Sequence, residues 1–330
     1  MALIRTCAMM PAHDYYVRTD ERYRDARRLI ETFTAGVRVA ARTTVVTIPV
    51  VVHVLHHTDE QNISDAQIAS QIAALNRDYR LANADRATLP PAWKALATDA
   101  LIEFALATVD PDGAPTTGVT RTRTASPAFA GDPGQLDQTI KFAPTGHAAW
   151  PRDAYLNIWV CELAGGLLGY AQFPGGGAAT DGVVIWHRAF GTEGTAAAPF
   201  DLGRTATHEV GHWLNLLHIW GDDGNGCTRS DAVIDTPNQA GANTGKPFHP
   251  HPTCGNAGDM FMNYMDYVDD DTMVLFTRGQ VDRMNATLAG PRAAITRSPA
   301  LTAPSPLHVL TPSRVGGRAQ VFDGVGWVDP

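Results

Sequence analysis

The sequence lacks any apolar run close to the ~20 residues that a helix needs to cross a bilayer, and it has no Lys/Arg cluster interleaved with aromatic side chains. The first absence argues against a membrane protein. The second, together with a formal net charge of −8, argues against a nucleic-acid-binding surface. The N-terminal residues also lack the long apolar stretch of a secretory signal, so we expect that such a signal was trimmed or that export follows another route.

Cysteine is scarce as well, with four in 330 residues, which excludes a small disulfide-rich scaffold. Cys227 and Cys254 lie in one irregular region, and we predict that they form a disulfide bond. A bridge across a loop of that length adds on the order of 3 kcal/mol in the chain-entropy model. Persistent disulfides are typical of oxidising compartments, so we expect a secreted, extracellular protein. The 44% of hydrophobic residues is enough for a core, in one large domain or two modest ones.

One short stretch carries a metal-binding pattern. His208 and His212 are one helical turn apart, so in a helix both imidazoles project from one face and can share an ion. Glu209, between them, is placed to hold a water molecule that the metal polarises and to act as general base. His218 reaches the same ion only if the chain turns near Asn215, a residue type that readily adopts left-handed backbone angles.

Three histidines leave the fourth position of a tetrahedral zinc open for water, which is the arrangement of a catalytic site rather than a structural one. The alternative is a chance match, because H-E-x-x-H alone also occurs in helices that bind no metal. The third histidine at the expected offset favours zinc. The other histidines lack such spacing and are expected to be packed or on the surface, among them His53, His56, His57, His187, His249 and His251.

Residues 1–42 differ from the rest, because they are charged, weakly helical and without an obvious strand. One interpretation is a disordered or docked N-terminal arm. A sharper hypothesis starts from Cys7, since a thiolate is an excellent zinc ligand and can occupy the position of the catalytic water. The arm would then be an inhibitory propeptide. Arg38 and Arg42, which lie among small residues before the first strand, are the predicted places to cut it off.

The middle of the chain predicts a five-stranded sheet. Residues 45–55 are β-branched and nearly unbroken, which is typical of a strand buried on both faces. A helix is predicted to start at Ser64, with Gln67 as its capping-box partner. Residues 111–150 are rich in Gly, Pro, Thr and Ala and are predicted to be mostly surface loop. The further strands are predicted at 101–109, 155–163, 167–173 and 183–187, one of them an exposed edge that can take an extended peptide.

The loop after the third histidine is poor in regular structure and dense in Asp, Asn and Gly. Hard cations prefer such oxygen ligands, and we predict a calcium site at Asp231, Asp235 and Thr236. Weaker candidates are Asp222 and Asp223. The alternative is that these carboxylates simply solvate a surface loop.

Residues 261–276 contain two more candidates. Met265, in a turn beneath the histidines, would give them an apolar, polarisable floor. Tyr267 could place its phenol near the oxyanion that forms during attack on a carbonyl. Both residues also have a core-packing interpretation. A closing helix is predicted at 277–288, and the Pro- and Gly-rich chain from Thr302 is a meandering extension or a fragment of something further.

With H-E-V-G-H-W-L-N-L-L-H and N-Y-M-D-Y, the chain resembles the metzincin zinc endopeptidases and, more closely, the pappalysin family. The narrower resemblance rests on Y-L-N-I-W-V-C, L-L-G-Y-A-Q-F-P and D-G-V-V-I, and on the Cys-rich loop that ends D-T-P. It implies an α/β (α+β) catalytic domain with two lobes. The upper lobe has a twisted, mostly parallel five-stranded sheet and the zinc-binding helix, and the lower lobe is irregular, with the Met-turn and a C-terminal helix. The implied domains are a propeptide at 1–42, a catalytic domain at 43–300 and a C-terminal extension at 301–330.

The resemblance also implies roles for single residues. The matching positions are His208, His212 and His218 for zinc, Glu209 for the base, Met265 for the Met-turn, Tyr267 for transition-state stabilisation and Cys7 for the latency cysteine. A structural calcium is implied near the Cys227 to Cys254 loop. Residues 269–273 lack the cysteine that would pair with Cys161, which is therefore expected to be a free, buried thiol. Val274 stands where an acidic residue would line the S1′ pocket, the pocket for the residue after the scissile bond, and this predicts an apolar preference.

These observations predict a secreted, monomeric endopeptidase with catalytic zinc and structural calcium, which cuts proteins within the chain and is kept latent by its propeptide. Two other hypotheses stay open. One is a different zinc hydrolase, such as an aminopeptidase or amidase, which would cut only at chain ends. The other is a non-catalytic binding module that has kept the fold, although every catalytic residue type is present.

Overall fold

The computed structural model describes residues 4–37, 41–224 and 226–302, together with four two-residue strands in the tail. Its sheet has six strands, which are β1 (Val46–His56), β2 (Ile102–Leu106), β3 (Val119–Arg123), β4 (Leu156–Cys161), β5 (Gly169–Ala171) and β6 (Val183–Trp186). The described residues form seven α-helices, which are α1 (Met9–Thr19), α2 (Glu21–Gly36), α3 (Asp65–Tyr79), α4 (Pro91–Lys94), α5 (Pro133–Ile140), α6 (Arg204–Trp213) and α7 (Arg278–Ala289).

β1 is the centre of the sheet and is buried along nearly its whole length, as its unbroken apolar sequence predicts. β2 and β3 follow one another along one side of β1, and β4, β6 and β5 continue the sheet on the other side. Each pair is parallel except β5 with β6, which is antiparallel. The predicted mostly parallel sheet is therefore confirmed, with β3 as a sixth strand beyond the predicted five.

The prediction that residues 111–150 are mostly loop is wrong in two places. β3 forms there because its backbone pairs with the second half of β1, from Val52 to His56. The hydrogen bonds to the neighbouring strand stabilise an extended conformation that the local sequence does not favour by itself. α5 forms because Asp132 and Gln135 make a capping box around Pro133 at the first helical position. That capping signal, an aspartate followed by proline and then by glutamine at the third helical position, is visible in the sequence.

α3 and α6 lie against each other and link the sheet to the candidate site. The Ser64 side chain accepts a hydrogen bond from the Gln67 backbone N–H, so α3 starts where predicted. The predicted capping box is only half formed, because the Gln67 side chain donates instead to the carbonyls of His187 and Phe190. Tyr79, at the end of α3, is fully buried and donates its hydroxyl proton to the Thr207 carbonyl in α6. Every residue of α6 is buried, so this helix is held from all sides.

The chain between α6 and α7 has little regular structure, as predicted for the lower lobe. It holds one small parallel pair, β7 (Thr244–Gly245) with β8 (Tyr267–Val268). The predicted disulfide between Cys227 and Cys254 is present, with its Cα atoms 5.4 Å apart. α7 then closes this part of the molecule, starting from a capping box at Thr277. Cys161 is a free, buried thiol in β4, as expected.

The N-terminal arm is not a loose extension, because α1 and α2 are docked on the rest of the chain. Arg38, one of the two predicted cleavage positions, lies outside the described residues, and so does most of the tail after 302. The tail strands that are described are β9 (Arg314–Val315), β10 (Arg318–Ala319), β11 (Val321–Phe322) and β12 (Trp327–Val328), in two antiparallel pairs. No helix in the described part of the chain combines the length and apolarity needed to cross a bilayer.

Candidate active site

α6 and the turn that follows it bring the three predicted histidines together. Asn215 adopts a left-handed φ of 76°, which lets the chain leave α6 and return, as its residue type predicts. The Nε2 atom of His212 lies 3.1 Å from the Nε2 atoms of both His208 and His218. All three imidazoles are buried. Nitrogen atoms that converge so closely from three separate side chains fit ligands of one shared cation.

Cys7 of the arm completes the cluster. Its sulfur and the three imidazoles offer ligand atoms that all lie within 4.8 Å of one another. Three nitrogen donors and one sulfur donor form a set that zinc accepts in a tetrahedral site. Among the residues described by the structure, this is the one place where three or more such side chains converge.

The other ring nitrogen of each histidine has a hydrogen-bond partner. The Nδ1 atom of His208 lies 2.7 Å from the Tyr264 carbonyl oxygen, and the Nδ1 atom of His212 lies 2.8 Å from the Leu216 carbonyl oxygen. A carbonyl only accepts, so each Nδ1 carries the proton and each Nε2 presents a lone pair to the cluster. Burial, and then the neighbouring imidazoles, lower the pKa of His208 and His212 well below the usual value, which keeps both rings neutral.

Glu209 points into the same space as the histidines. Its Oε2 atom lies 3.4 Å from the Cys7 sulfur, and that sulfur also accepts a hydrogen bond from the Met9 backbone N–H at 3.3 Å. Burial raises the pKa of Glu209 to about 8. Burial also raises the pKa of the Cys7 thiol, with the Glu209 charge as the next cause. A divalent cation at the imidazoles acts in the opposite direction and favours the thiolate.

Met265 lies directly under α6, where the sequence places it. It is fully buried, and a Cβ atom at Gly211 would come within 2.5 Å of its sulfur. Gly211 therefore allows the turn to approach the helix closely between His208 and His212. We made no prediction for Gly211, although its place inside the H-E-V-G-H sequence was the available signal.

Tyr267 borders the cluster, as predicted. Its ring centroid lies 5.7 Å from that of His208 and 5.0 Å from that of His218. Its hydroxyl is 3.5 Å from the Cys7 carbonyl oxygen, a long contact. Burial raises the pKa of Tyr267 well above its usual value, so the phenol stays protonated and can donate a hydrogen bond.

The arm occupies the sheet edge beside the cluster. The backbone N–H of Ala8 donates to the Gly169 carbonyl, and the N–H of Leu168 donates to the Thr6 carbonyl, each at 3.1 Å. These bonds add the arm to β5 as a short parallel strand. The predicted edge strand is therefore present, but here residues of the same chain cover it.

Arg5 enters a buried acidic pocket next to the cluster. The residue is 2% exposed, and its guanidinium forms an ion pair with Asp270 and donates to the Thr205 hydroxyl at 2.9 Å. It also lies 4.8 Å from the centroid of the Phe200 ring. The guanidinium carries five N–H donors in a fixed planar arrangement, which suits a pocket lined by carboxylate and hydroxyl acceptors.

Val274, the residue expected to line the S1′ pocket, lies instead in the hydrophobic core. Its backbone carbonyl accepts a hydrogen bond from the Asn83 side chain.

The aspartates of the acidic loop after His218 have different hydrogen-bond partners. Both carboxylate oxygens of Asp231 lie 2.9 Å from the Thr236 hydroxyl, and Asp231 is buried without a cationic partner among the described residues. Burial raises the pKa of Asp231 to about 7. Asp235 instead accepts from the Thr277 hydroxyl and the Gly279 backbone N–H, so its carboxylate caps α7. Asp223 accepts backbone N–H bonds within its own loop.

Comparison with known proteins identifies relatives that are metalloproteases, in agreement with the cluster of metal-binding side chains. A family model described as pregnancy-associated plasma protein-A matches residues 143–289. An extracellular metalloprotease of Pyricularia oryzae is 32% identical over 267 residues, which is 77% of this chain and 79% of that protein. Extracellular metalloprotease 1 of Coccidioides posadasii is 37% identical over 172 residues, which is 50% of this chain and 58% of that protein.

Solved structures match as well. A promirolysin mutant of Tannerella forsythia is 46% identical with a TM-score of 0.81, and the match covers 92% of this chain and all of that one. Mature mirolysin with a cleaved peptide is 50% identical with a TM-score of 0.76, over 80% of this chain and all of that one. The predicted two-lobed α/β fold of a metzincin is therefore confirmed. By site geometry, sequence and fold alike, the chain belongs to the pappalysin family of metalloendopeptidases.

Proposed function

We propose that the chain is an exported zinc endopeptidase that its own N-terminal arm keeps latent. The observation that carries this proposal is the convergence of Cys7 with three buried imidazoles, directly beside Glu209. Export is supported by the Cys227 to Cys254 disulfide and by relatives that are named extracellular metalloproteases. Recovery of the disulfide-bonded chain from the culture medium is the corresponding test.

In the proposed mechanism the three histidines would hold the metal, and peptide hydrolysis takes place next to Glu209. When bound there, zinc would supply Lewis acidity for the scissile carbonyl and for water. The Glu209 carboxylate accepts the proton of the attacking water and passes it to the nitrogen of the departing amine. The Tyr267 phenol, which lies beside the Cys7 carbonyl oxygen in the latent chain, donates a hydrogen bond to the substrate oxygen that gains negative charge.

Latency follows from what the arm covers. Cys7 takes the position from which water would act, and the backbone of residues 6–8 fills the β5 edge that an extended substrate would use. The Arg5 side chain fills the adjacent pocket. Each of these contacts has to break before a substrate can bind.

A second set of contacts docks α2 on α7 and on the turn that follows α6, between the second and third metal-site histidines. Arg27 donates to the Asn215 side-chain oxygen at 2.7 Å and lies 4.5 Å from the centroid of the Phe173 ring. Glu31 accepts two hydrogen bonds from one nitrogen of Arg283 in α7, at 2.7 and 2.8 Å. Largely buried ionic contacts of this kind fix the position of the helix. The arm is thus held at the turn around Asn215 as well as through Cys7.

X-ray absorption at the zinc edge of the full chain tests the coordination directly. We expect one sulfur at about 2.3 Å in addition to nitrogen ligands at about 2.0–2.1 Å. Cys7→Ser should remove the sulfur contribution, whereas the matched control Cys161→Ser, in the other free cysteine, should leave it unchanged. A zinc-loaded chain whose spectrum shows no sulfur, or keeps it in Cys7→Ser, would exclude Cys7 as the fourth ligand.

We further propose that Asp270 determines specificity. An arginine of the arm sits in a buried pocket against this carboxylate, beside the metal cluster, so the same pocket fits an arginine or lysine of a substrate at S1′. An acidic S1′ pocket replaces the apolar one expected at Val274. Asp270 and Val274 have only three residues between them in the sequence, and only the folded chain shows which of the two lies beside the metal cluster.

Asp231 and Thr236 remain the proposed calcium ligands, because a buried carboxylate without a cationic partner is costly unless a cation compensates it. Calcium at about 100 times its dissociation constant stabilises a protein by about 2.7 kcal/mol. We therefore expect added calcium, at constant zinc, to raise Tm by about 4 °C in thermal unfolding of this 330-residue chain. Asp231→Asn should abolish the shift and the exposed control Asp282→Asn should retain it. An unmodified chain with the same Tm in both buffers would rule out the site.

A further inference from the structure

The three metal-site histidines differ in what holds their outer nitrogen. His208 and His212 each donate Nδ1–H to a backbone carbonyl. His218 alone uses a side chain, since its Nδ1 lies 2.7 Å from the Oδ1 atom of Asp222. A carboxylate partner is ionic and makes a stronger hydrogen bond than a carbonyl, and it can be changed by mutation without altering the ligand itself.

His218 needs such a partner more than the other two, because it lies outside α6. The Trp220 ring stacks on the imidazole with a centroid distance of 4.3 Å and an interplanar angle of 7°. Stacking fixes the plane of the imidazole ring. It does not choose which nitrogen faces the metal, because a flip of about 180° around the Cβ–Cγ bond leaves the ring in the same plane. A hydrogen bond from Nδ1 to a fixed acceptor determines that Nε2 is the nitrogen that faces the metal.

The backbone at Asp222 is built around this contact. Its φ is +56°, a left-handed angle that is uncommon for a residue other than glycine, asparagine or aspartate. Its side chain is 16% exposed, and His218 is its hydrogen-bond partner within the part of the chain that the structure describes. The adjacent Asp223 organises the loop instead, through the backbone N–H groups of Thr228 and Arg229.

We propose that Asp222 is a positioning residue for the metal. Its carboxylate accepts the Nδ1 proton of His218, sets the tautomer that leaves the Nε2 lone pair free, and makes that nitrogen a stronger ligand. This inference rests on the proposed function, because it assumes that the three histidines hold zinc. It also replaces the weak expectation of a calcium ligand at Asp222, since the carboxylate is turned toward the histidine.

Two substitutions in the full chain test this role. Asp222→Gly removes the acceptor and accepts the left-handed backbone angle without strain, so a loss of zinc affinity cannot come from a distorted turn. Asp222→Asn keeps an acceptor in place without its charge. Asp223→Asn is the control, because it alters a carboxylate of the same loop that does not touch a histidine. Zinc affinity is measured by competition with a chelator, and Tm of the metal-free chain reports on folding.

We expect Asp222→Gly to weaken zinc binding by about 10- to 100-fold, with Tm of the metal-free chain unchanged. Asp222→Asn should give a smaller loss, and Asp223→Asn should stay within about twofold of the unmodified chain. A Gly variant within about twofold of the unmodified chain would overturn the proposal, and so would an equal loss in the control. If the Gly variant does not fold, the Asn variant decides, and unchanged affinity there counts against the proposal. Failure of the unmodified chain to bind zinc would instead reject the proposed function itself.

Discussion

Glu209→Gln is expected to lower kcat/KM for peptide hydrolysis by about 10²- to 10⁴-fold while the chain keeps its zinc. The amide has the shape of the carboxylate but cannot accept the proton of the attacking water. The imidazoles that hold the metal are unchanged, so metal content should stay the same. The substitution separates general-base catalysis from metal binding.

The measurement needs a chain whose cleft is open. We would use Arg5→Ala, Cys7→Ala as the background, since these are the two arm side chains that enter the site. Cleavage of a peptide is then compared with and without Glu209→Gln, with Glu193→Gln, an exposed residue, as the matched control. Activity that survives Glu209→Gln within about tenfold would show that another group takes the proton.

Asp270→Asn is expected to remove the preference for arginine after the scissile bond. Loss of one partner from a buried charge pair costs about 2–5 kcal/mol, so kcat/KM for such a substrate should fall by about 30- to 3000-fold. Asp270 also accepts backbone N–H bonds from Leu202 and Arg204 at the start of α6, so part of any loss could be structural. A paired substrate with leucine at the same position corrects for that part, because the structural loss affects both substrates.

The ratio of the two substrates is therefore the quantity to measure. Asp271→Asn is the matched control, since this neighbouring carboxylate is exposed and pairs with Lys246. The ratio should collapse in Asp270→Asn and stay unchanged in Asp271→Asn. A ratio that Asp270→Asn leaves unaltered would show that the arm's arginine does not mark the S1′ pocket.

The parts of the site that can be predicted from the sequence are those whose geometry depends on residues close together in the chain. His208 and His212 share a helix face by spacing alone, and Asn215 turns the chain because of its own backbone preference. β1 and the start of α3 were predictable for the same reason, since a buried run and a capping residue act locally. In each case the interaction that decides the structure lies within a few residues of the sequence.

The parts that sequence reasoning missed depend on distant partners. The Asp270 carboxylate receives Arg5 from 265 residues away, and no local pattern separates it from Asp271 or singles out Val274. β3 is a strand because β1 is beside it. Asp222 was grouped with the acidic loop, and only its distance to His218 reveals a different role. The structure at these positions depends on contacts between segments that are far apart in the sequence. The conformational preferences of the individual residues carry no information about such contacts.

The most direct test of the central claim is to identify the new termini in a denatured protein digested by the Arg5→Ala, Cys7→Ala chain. Mass spectrometry of the products reads every cut and the residues around it. We predict cuts inside the substrate, before arginine or lysine, which a zinc chelator and Glu209→Gln both abolish. Cuts confined to chain ends, or internal cuts that persist with the chelator and with Glu209→Gln, would contradict a zinc endopeptidase built on His208, His212 and His218.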